Sequence, residues 1–285
     1  MSIKIVIVGA ANVDIVTKSK AKIVPGDSNP AEVNMKAGGV ARNIASMLVA
    51  QGIDVSLITA VGDDFLGNYL RKSCVDIGIN TDFWIVKRGM TTGVYVAALE
   101  NDGELHAGFN AMAATECIEK GEIAKHKEII KDADLLILDL NLTETILAAA
   151  LEFRGGEPVM IDVVSVAKVP RIENFIGQVD ILKLNRLEAE RMTGITLDNN
   201  ERAKQACNEI IDRGVKRVFI TLGVDGACAA DKNGAVFIPS LPVEVADVTG
   251  AGDAFAAGIA LSIDKDLTAQ AECGVKFAAE HLRKR

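Results

Sequence analysis

The feature that most constrains the fold of this chain is an alternation of short aliphatic runs with helical patterns, most regular in its second half. Continuous apolar runs of this kind indicate strands that are buried on both faces. Strands that alternate with helices predict a mostly parallel sheet covered by helices on both faces. We therefore predict a doubly wound α/β fold. The strand runs are 3–8, 55–61, 135–139, 159–162, 181–184 and 217–222, and the helical patterns are 40–50, 115–131, 143–153, 186–193, 200–213 and 269–283, with another helix near 173.

Composition narrows the class of protein further. The 285 residues are enough for one large domain, which we predict over 1–285, and the 4% of aromatic residues require an aliphatic core. A net charge of −8 offers no basic face, so no nucleic-acid partner is expected. The five cysteines are scattered and form no C-x-x-C pair, which favours reduced thiols. Without a long apolar run, we expect a cytoplasmic protein with no membrane partner.

Two parts of the chain carry strand patterns without helices between them. From Asn12 to Val16, polar and apolar residues alternate, which indicates a strand with one polar face. Short runs at 83–86, 92–99 and 105–110 are separated by turn residues. We predict that segments 12–36 and 83–112 form a small β-sheet lid beside the main sheet. A lid excludes water from a reaction, and its free strand edges could pair in a homodimer.

A glycine-rich turn precedes the small, apolar helical run at 256–261. The turn, Gly250-Ala251-Gly252-Asp253, places backbone N–H groups at a helix start, where they lack partners inside the helix and the helix dipole is positive. Such a turn can bind a phosphate group. Asp253 would repel a phosphate unless it takes the proton of a hydroxyl that attacks the phosphorus atom. The local alternative is an ordinary acidic first turn after a Gly-x-Gly bend.

Two motifs, taken in this order along the chain, resemble a known family. Gly38-Gly39-x-x-x-Asn43 and Asp247-x-Thr249-Gly250-Ala251-Gly252-Asp253-x-Phe255 are similar to the N-terminal and C-terminal signatures of the ribokinase-like (PfkB) carbohydrate kinases. The resemblance covers nearly the whole chain. It implies a three-layer fold with a β lid, ATP and Mg²⁺ as cofactors, and a small-molecule sugar or nucleoside as the acceptor. It gives catalytic roles to Gly250, Ala251, Gly252 and Asp253.

The resemblance also implies which residues bind the acceptor. They are Asn12, Asp14, Gly38, Gly39, Asn43, Thr92, Asn110, Asn141 and Asp253. The local patterns alone leave alternatives open. Asn12 and Asp14 fit a solvated edge strand equally well, and Asn141 fits a cap at a strand end.

A second set of residues is implied for the nucleotide. It comprises Lys183, Asn185, Thr221, Gly223, Gly226, Thr249, Gly250 and Gly252. Asn185 and Glu188, three apart at a helix start, are the implied magnesium residues, because oxygen ligands suit a hydrated Mg²⁺. A capping box is the local alternative for this pair. The sequence has no Walker A motif. Relatives continue through a further loop and helix that help to form the adenine and monovalent-cation side, so K⁺ activation is left open.

Within the family, several segments resemble the pseudouridine kinases. They are Asp27-Ser28-Asn29-Pro30, 38–45, Phe109-Asn110-Ala111-Met112, Asp162-x-x-Ser165-x-x-Lys168 and 183–190. The resemblance implies transfer of the γ-phosphate of ATP to the 5′-hydroxyl of pseudouridine, with Asn110 near the base. Two alternatives stay open: a family kinase for another acceptor, such as ribose, adenosine or inosine, and a nucleoside-binding protein without activity.

Overall fold

The computed structural model, which describes residues 3–243 and 248–283, is built on one large sheet. The strands are β1 (Lys4–Val8), β2 (Asn12–Ser19), β3 (Ala31–Gly38), β4 (Asp54–Ile58), β5 (Ala60–Gly62), β6 (Ile85–Lys87), β7 (Val94–Leu99), β8 (Leu105–Ala111), β9 (Leu135–Asp139), β10 (Val159–Asp162), β11 (Ile181–Asn185), β12 (Arg217–Thr221), β13 (Ala227–Asp231) and β14 (Gly234–Ile238). The helices are α1 (Val40–Val49), α2 (Phe65–Asp76), α3 (Ala113–Glu116), α4 (Lys120–Ala124), α5 (Lys127–Lys131), α6 (Glu144–Phe153), α7 (Arg186–Thr193), α8 (Asn200–Asp212), α9 (Ala251–Leu261) and α10 (Leu267–Arg283), with a 3₁₀ helix over Val166–Gln178.

Among the described residues, the main sheet has eight strands in the order β14–β13–β12–β11–β10–β9–β1–β4. Neighbouring strands from β12 to β4 are parallel, whereas β13 and β14 add an antiparallel edge. Alternate side chains of β1 enter two separate cores: Ile5 and Ile7 on one face, Val6 and Val8 on the other. Helices α1, α9 and α10 cover the first face, and α6, α7 and α8 cover the second. The predicted doubly wound, three-layer fold is confirmed.

A second sheet of four strands lies in the described part of the chain, in the order β3–β2–β7–β8. Strand β2 pairs antiparallel with β3 and parallel with β7, and β7 pairs antiparallel with β8. Asp14 lies between Lys36 and Tyr95 in this register, and Tyr95 lies opposite Asn110. Because residues in register share one face of a sheet, these four side chains form a row across one face of the lid. We call them the lid row.

The lid sheet is smaller than the sequence predicted. The sequence pattern predicts the run at 83–86 in this sheet, but β6 pairs with β5 in a separate two-stranded sheet. The run at 55–61 is also two strands, because β4 ends at Ile58 and β5 leaves the main sheet after Thr59. The Thr59 hydroxyl accepts a hydrogen bond from the Ala11 N–H at 3.1 Å. Such long-range contacts are not contained in a local sequence pattern.

Two helix predictions also need correction. The helix expected over 115–131 is three short helices, α3, α4 and α5, because Glu119 and Glu122 form a capping box that begins α4 anew. The helix expected near 173 is a 3₁₀ helix that contains Pro170, which lacks a backbone donor. Of the helices in the described ranges, none has both the length and the apolar character to cross a membrane.

Candidate active site

Buried polar side chains collect where the parallel strands of the main sheet end. Asp139 ends β9, Asp162 ends β10, and Lys183 lies near the end of β11, and all three are almost fully buried. Buried charges are costly unless they are paired. Lys183 Nζ lies 2.9 Å from Asp162 Oδ2, which makes a buried ion pair at this edge. In open α/β sheets this is the edge at which ligands bind.

Asp253 lies in the first turn of α9 and links the two sequence motifs. Its Oδ2 accepts a hydrogen bond from Asn43 Nδ2 of α1 at 2.8 Å. Burial raises the pKa of Asp253 to about 7, and the carboxylates of Asp162 and Asp139 add to the rise, against the opposing effects of Asn43 and Lys183. A carboxyl group with a pKa near neutrality is suited to accept a proton at physiological pH.

The turn before α9 has the backbone of an anion site. Gly250 adopts the left-handed conformation, with φ of 79°, and so allows the chain to enter the helix. A Cβ on Gly252 would lie 3.1 Å from Lys183 Nζ, so the ammonium group lies directly beside the first turn of α9. Burial acts to lower the pKa of Lys183, but Asp162, Glu188 and Asp253 raise it overall, so this lysine is charged.

Ala251 contributes less to this anion site than the sequence predicted. Its N–H donates to the Val248 carbonyl at 3.2 Å and is therefore used within the turn. The N–H groups of Gly252 and Asp253 belong to the first turn of α9, where donors have no partner inside the helix. These two amides are the ones that the turn can present to an anion. Asp247, which the C-terminal motif includes, lies outside the described residues.

Asp139 holds three segments of the site together. Its carboxylate accepts hydrogen bonds from the N–H groups of Ala10, Ala41 and Asn141, at 2.9, 3.2 and 2.8 Å. A side chain on Gly9 would overlap this carboxylate, which explains the glycine at the end of β1. Burial raises the pKa of Asp139 to about 6 despite these donors. The sequence placed Asp139 at a strand end but gave it no role, and only the fold shows that it joins β1, α1 and the loop after β9.

The predicted acceptor residues Asn12, Asp14, Gly38 and Gly39 meet at the base of the lid. Asn12 is buried and donates from Nδ2 to Asp14 Oδ1 at 2.7 Å. A Cβ on Gly38 would overlap the Asp14 carboxylate, and Gly39 has φ of 96° with the Ala10 carbonyl 2.5 Å from the position of a Cβ. Gly38 therefore leaves room for the Asp14 carboxylate at the end of β3, and Gly39 lets the start of α1 approach the segment 10–12. Burial raises the pKa of Asp14, although Asn12, Lys36 and Arg42 oppose the rise.

Two cavities flank the glycine-rich turn, one on each side. The first, of about 390 Å³, lies between the lid and α1 and is lined by Asp14, Lys36, Arg42, Asn43, Thr249 and Gly250, among others. The second, also of about 390 Å³, is mostly apolar. Its lining includes Thr221, Gly223, Gly226, Val248, Ala251, Gly252 and residues of α10. The predicted nucleotide residues Thr221, Gly223, Gly226 and Gly252 thus share one cavity, and the predicted acceptor residues Asp14 and Asn43 share the other.

Two predicted acceptor residues lie elsewhere. The Thr92 hydroxyl donates to Asp64 Oδ1 at 2.6 Å and accepts from the Gly62 N–H at 3.0 Å, and the side chain is buried. Thr92 therefore holds the loop that leads into β7, and its role in acceptor binding stays a prediction. Asn110 is exposed on β8, at the far end of the lid row from Lys36. Its role in binding stays a prediction.

Asn185 and Glu188, the residues predicted to contact magnesium, form a capping box, which is the alternative that the sequence left open. Asn185 Oδ1 accepts from the Glu188 N–H at 3.0 Å, and the Asn185 N–H donates to Glu188 Oε2 at 2.8 Å, which is a capping box at the start of α7. In the part of the chain that the structure describes, no three His, Cys, Asp or Glu side chains are grouped to hold a metal ion. Glu188 is buried beside Lys183, and it retains lone pairs that can accept from water. The pair therefore fits a water-shelled Mg²⁺ carried by phosphates better than a directly bound ion.

Sequence and fold match one family over the whole chain. The model of the pfkB family carbohydrate kinases matches residues 2–285, so the chain belongs to this family of sugar and nucleoside kinases. It is 34% identical over 257 residues to a pseudouridine kinase of Escherichia coli (strain K12), covering 90% of this chain and 82% of that protein.

Solved structures agree with this assignment. A carbohydrate kinase from Agrobacterium tumefaciens superposes with a TM-score of 0.86 at 28% identity, covering 98% of this chain and 90% of that chain. Arabidopsis thaliana ribokinase, solved in complex with ribose and ATP, superposes with a TM-score of 0.83 at 24% identity, covering 98% and 91%. This chain therefore has the ribokinase-like fold.

Proposed function

We propose that the protein transfers the γ-phosphate of ATP to the 5′-hydroxyl of pseudouridine. The observation that carries the proposal is the position of the glycine-rich turn between two cavities. An acceptor in the cavity beside Asp14 and Asn43 and a nucleotide in the cavity beside Gly223 and Gly252 would meet at the glycine-rich turn that carries Asp253. Direct transfer between two bound substrates needs such an arrangement, because the reacting oxygen and phosphorus atoms must be in line and close together.

In this mechanism, Asp253 accepts the proton of the 5′-hydroxyl as its oxygen attacks the γ-phosphorus. The bond to the β–γ bridging oxygen breaks, and ADP leaves with that electron pair. The amides of Gly252 and Asp253 and the ammonium group of Lys183 stabilise the charge that develops on the phosphoryl oxygens. Asn43 orients the Asp253 carboxylate through its hydrogen bond. The proton therefore has a defined acceptor and the phosphoryl group a defined set of donors.

Mg²⁺ would neutralise phosphate charge, and the Asn185–Glu188 pair is the group in this chain that would contact its water shell. K⁺ activation is a separate part of the proposal, and replacing K⁺ by Na⁺ at constant ionic strength tests it directly. A cytoplasmic location, where ATP and Mg²⁺ are available, belongs to the same proposal.

Two observations favour a nucleoside as the acceptor. Asn12 and Asp14 place paired polar groups at the base of the lid, where they could hold the two hydroxyls of a ribose. The lid row then continues to Tyr95 and Asn110, so the polar surface extends beyond the size of one sugar ring. The name of the Escherichia coli relative supports pseudouridine within this class. A sugar kinase acting on ribose, or a kinase for adenosine or inosine, is the second candidate.

A panel of acceptors tests the proposal. ATP consumption is measured with pseudouridine, uridine, adenosine, inosine and ribose, and the product is located by ³¹P NMR. We expect the highest kcat/KM with pseudouridine and a phosphorus signal on the 5′ oxygen, both lost in Asp253→Asn. Higher kcat/KM with another acceptor would move the function to the second candidate. Binding of nucleosides without turnover of any of them would identify a silent binding protein.

The lid also supports a proposal for assembly. The face of the lid sheet opposite the lid row exposes Val33, Met35 and Phe109. We infer that this apolar face is covered by a second copy of the chain. Size-exclusion chromatography with light scattering should give twice the mass of 30.2 kDa, and Phe109→Asp should reduce it to the monomer mass. A monomer at micromolar concentration would contradict this part of the proposal.

A further inference from the structure

The segment that follows β10 has a strained backbone. Val164 has φ of 69°, and it is the one residue other than glycine with positive φ in the described ranges. A β-branched residue is strongly disfavoured in this conformation. Strain of this kind persists only where the surrounding structure imposes it, and it is concentrated at functional sites. Here two hydrogen bonds hold it: the Ser165 N–H donates to the Val163 carbonyl at 2.8 Å across the turn, and Asp162 Oδ1 accepts from the Val164 N–H at 2.9 Å.

The strained residue directs the chain into the 3₁₀ helix that carries Lys168. The ammonium group of Lys168 donates a hydrogen bond to Asn141 Oδ1, at the loop after β9. Arg171 of the same helix fixes that loop as well, because its guanidinium donates to the carbonyls of Leu140, Asn141 and Leu142 at 2.9, 3.0 and 3.1 Å. The loop is thus already held by Arg171, and the charge of Lys168 is not needed to hold it.

The surroundings of Lys168 show what its charge faces. The carboxylates of Asp139, Asp162 and Glu116 stabilise its charged form, whereas Arg171 opposes it, and burial lowers its pKa. Lys168 in turn acts on Glu188, so it lies on the same side of the site as the predicted magnesium pair. Lys183 already has a close ionic partner in Asp162, at 2.9 Å. Lys168, by contrast, makes its one closest polar contact, among those described, to a neutral amide oxygen.

We propose that Lys168 is a second phosphate-directed cation, which contacts the γ-phosphoryl group from the side of Asn141 while Lys183 contacts it from the side of Gly252. The inference rests on the proposed function, because it takes the bound nucleotide from there. During transfer Lys168 keeps its proton and supplies charge to the phosphoryl oxygens, so no additional reactant is required. The motif Asp162-x-x-Ser165-x-x-Lys168 then has a physical reason: Asp162 helps to hold the strained turn, and the turn leads into the helix that positions the lysine.

The test compares Lys168→Gln with Lys168→Arg. Glutamine keeps a donor for Asn141 but removes the charge, whereas arginine keeps both. Isothermal titration with Mg·ADP and Mg·AMP-PNP separates contacts to the γ-phosphate from contacts to the rest of the nucleotide. For Lys168→Gln we expect AMP-PNP affinity to fall roughly 10- to 100-fold, as for loss of a hydrogen bond to a charged group. ADP affinity should change less than about twofold, and Lys168→Arg should retain most of the AMP-PNP affinity.

A matched control is Lys87→Gln, because Lys87 is also a shielded lysine but pairs with Glu122 on another part of the fold. It should leave both affinities unchanged. Equal losses for ADP and AMP-PNP in Lys168→Gln would indicate a structural role for Lys168. Either that result or no loss of affinity would overturn the inference. Melting temperatures identify any variant that fails to fold, in which case Lys168→Arg decides. Titration needs no turnover, so the two proposals can fail separately. If no acceptor in the panel is phosphorylated but Lys168→Gln loses AMP-PNP affinity as expected, the proposed function is refuted and the inference about Lys168 stands.

Discussion

Polar side chains at the edge of the main sheet differ from those of the lid in how they are buried and held in place. At the sheet edge, Asp139 and Lys183 are buried and Asp253 is partly buried, and each is held by hydrogen bonds or ion pairs from other elements. In the lid row, Asp14 and Tyr95 are partly exposed and Asn110 is exposed. Groups that must act on every acceptor are therefore preorganised, whereas groups that could select the acceptor are open until a ligand covers them.

This difference predicts two kinds of variant. Changes at the sheet edge should lower kcat for all acceptors by similar factors, because they act on the transferred phosphoryl group. Changes in the lid row should alter KM and the ranking of acceptors, because they act on binding. The expected effects below run from the largest to the smallest.

Asp253→Asn should have the largest effect. Loss of the base should lower kcat by roughly 10²- to 10⁴-fold with every acceptor, while acceptor affinity measured by titration stays within about threefold. Asp264→Asn, at an exposed position just after α9, is the matched control and should keep wild-type kcat. If Asp253→Asn kept substantial turnover, another group would have to accept the proton, and the roles of the two regions would need to be reassigned.

Gly252→Ala tests whether the sheet edge depends on close approach of Lys183 to the turn. The new methyl group would lie 3.1 Å from Lys183 Nζ and push the ammonium away from the anion site. We expect kcat to fall by about 10- to 100-fold, somewhat less than for loss of an oxyanion-hole donor. Gly121→Ala in α4, where a Cβ meets no atom within 4 Å, is the control. Unchanged kcat in Gly252→Ala would show that Lys183 does not act at the turn.

The pKa of Asp253 gives a third prediction. With a pKa of about 7 in the free protein, kcat/KM should fall about tenfold for each pH unit below 7, because the protonated carboxyl cannot accept a proton. A Gln or Asn substitution in the lid row should leave this profile in place. A pH-independent kcat/KM between 5 and 8 would contradict the assignment of Asp253 as the base.

The same pKa has a consequence for stability, and its sign can be stated. The pKa is raised above the ordinary value of 3.8, so the folded state holds the proton more tightly than the unfolded state. The stability that protonation provides is present below pH 3.8 and is lost as the pH rises through about 7. Asp253→Asn removes this loss, so its melting temperature should exceed that of the wild type at pH 8 by more than at pH 5.

The sequence predicted the main sheet far better than the lid and its surroundings. Strands β9 and β10 have the predicted bounds, because a strand buried on both faces is a continuous aliphatic run whose ends are marked by polar residues. The predicted site residues that meet, Asn43 and Asp253, were found because whole motifs carry them. Thr92, Asp139 and Lys168 differ, since their roles depend on hydrogen bonds between distant segments that no local pattern records.

The smallest expected effect concerns Asn110, and it is the most specific test of the lid. The lid row places Asn110 two strands away from Asp14, or about 10 Å at the usual strand spacing, which matches the reach from a ribose to the far edge of its base. Asn110→Ala should therefore raise KM for nucleosides by about 2- to 10-fold, as for one neutral hydrogen bond, and leave KM for ribose unchanged.

Asn101→Ala at the exposed tip of the lid is the matched control, because it removes the same side chain outside the row. It should change neither KM. A loss of kcat in Asn110→Ala that is equal for ribose and nucleosides would contradict the proposed difference between the lid row and the sheet edge. The lid would then act on the phosphoryl transfer itself. A change confined to nucleosides would instead locate the selection of the base on β8, at the outer strand of the lid.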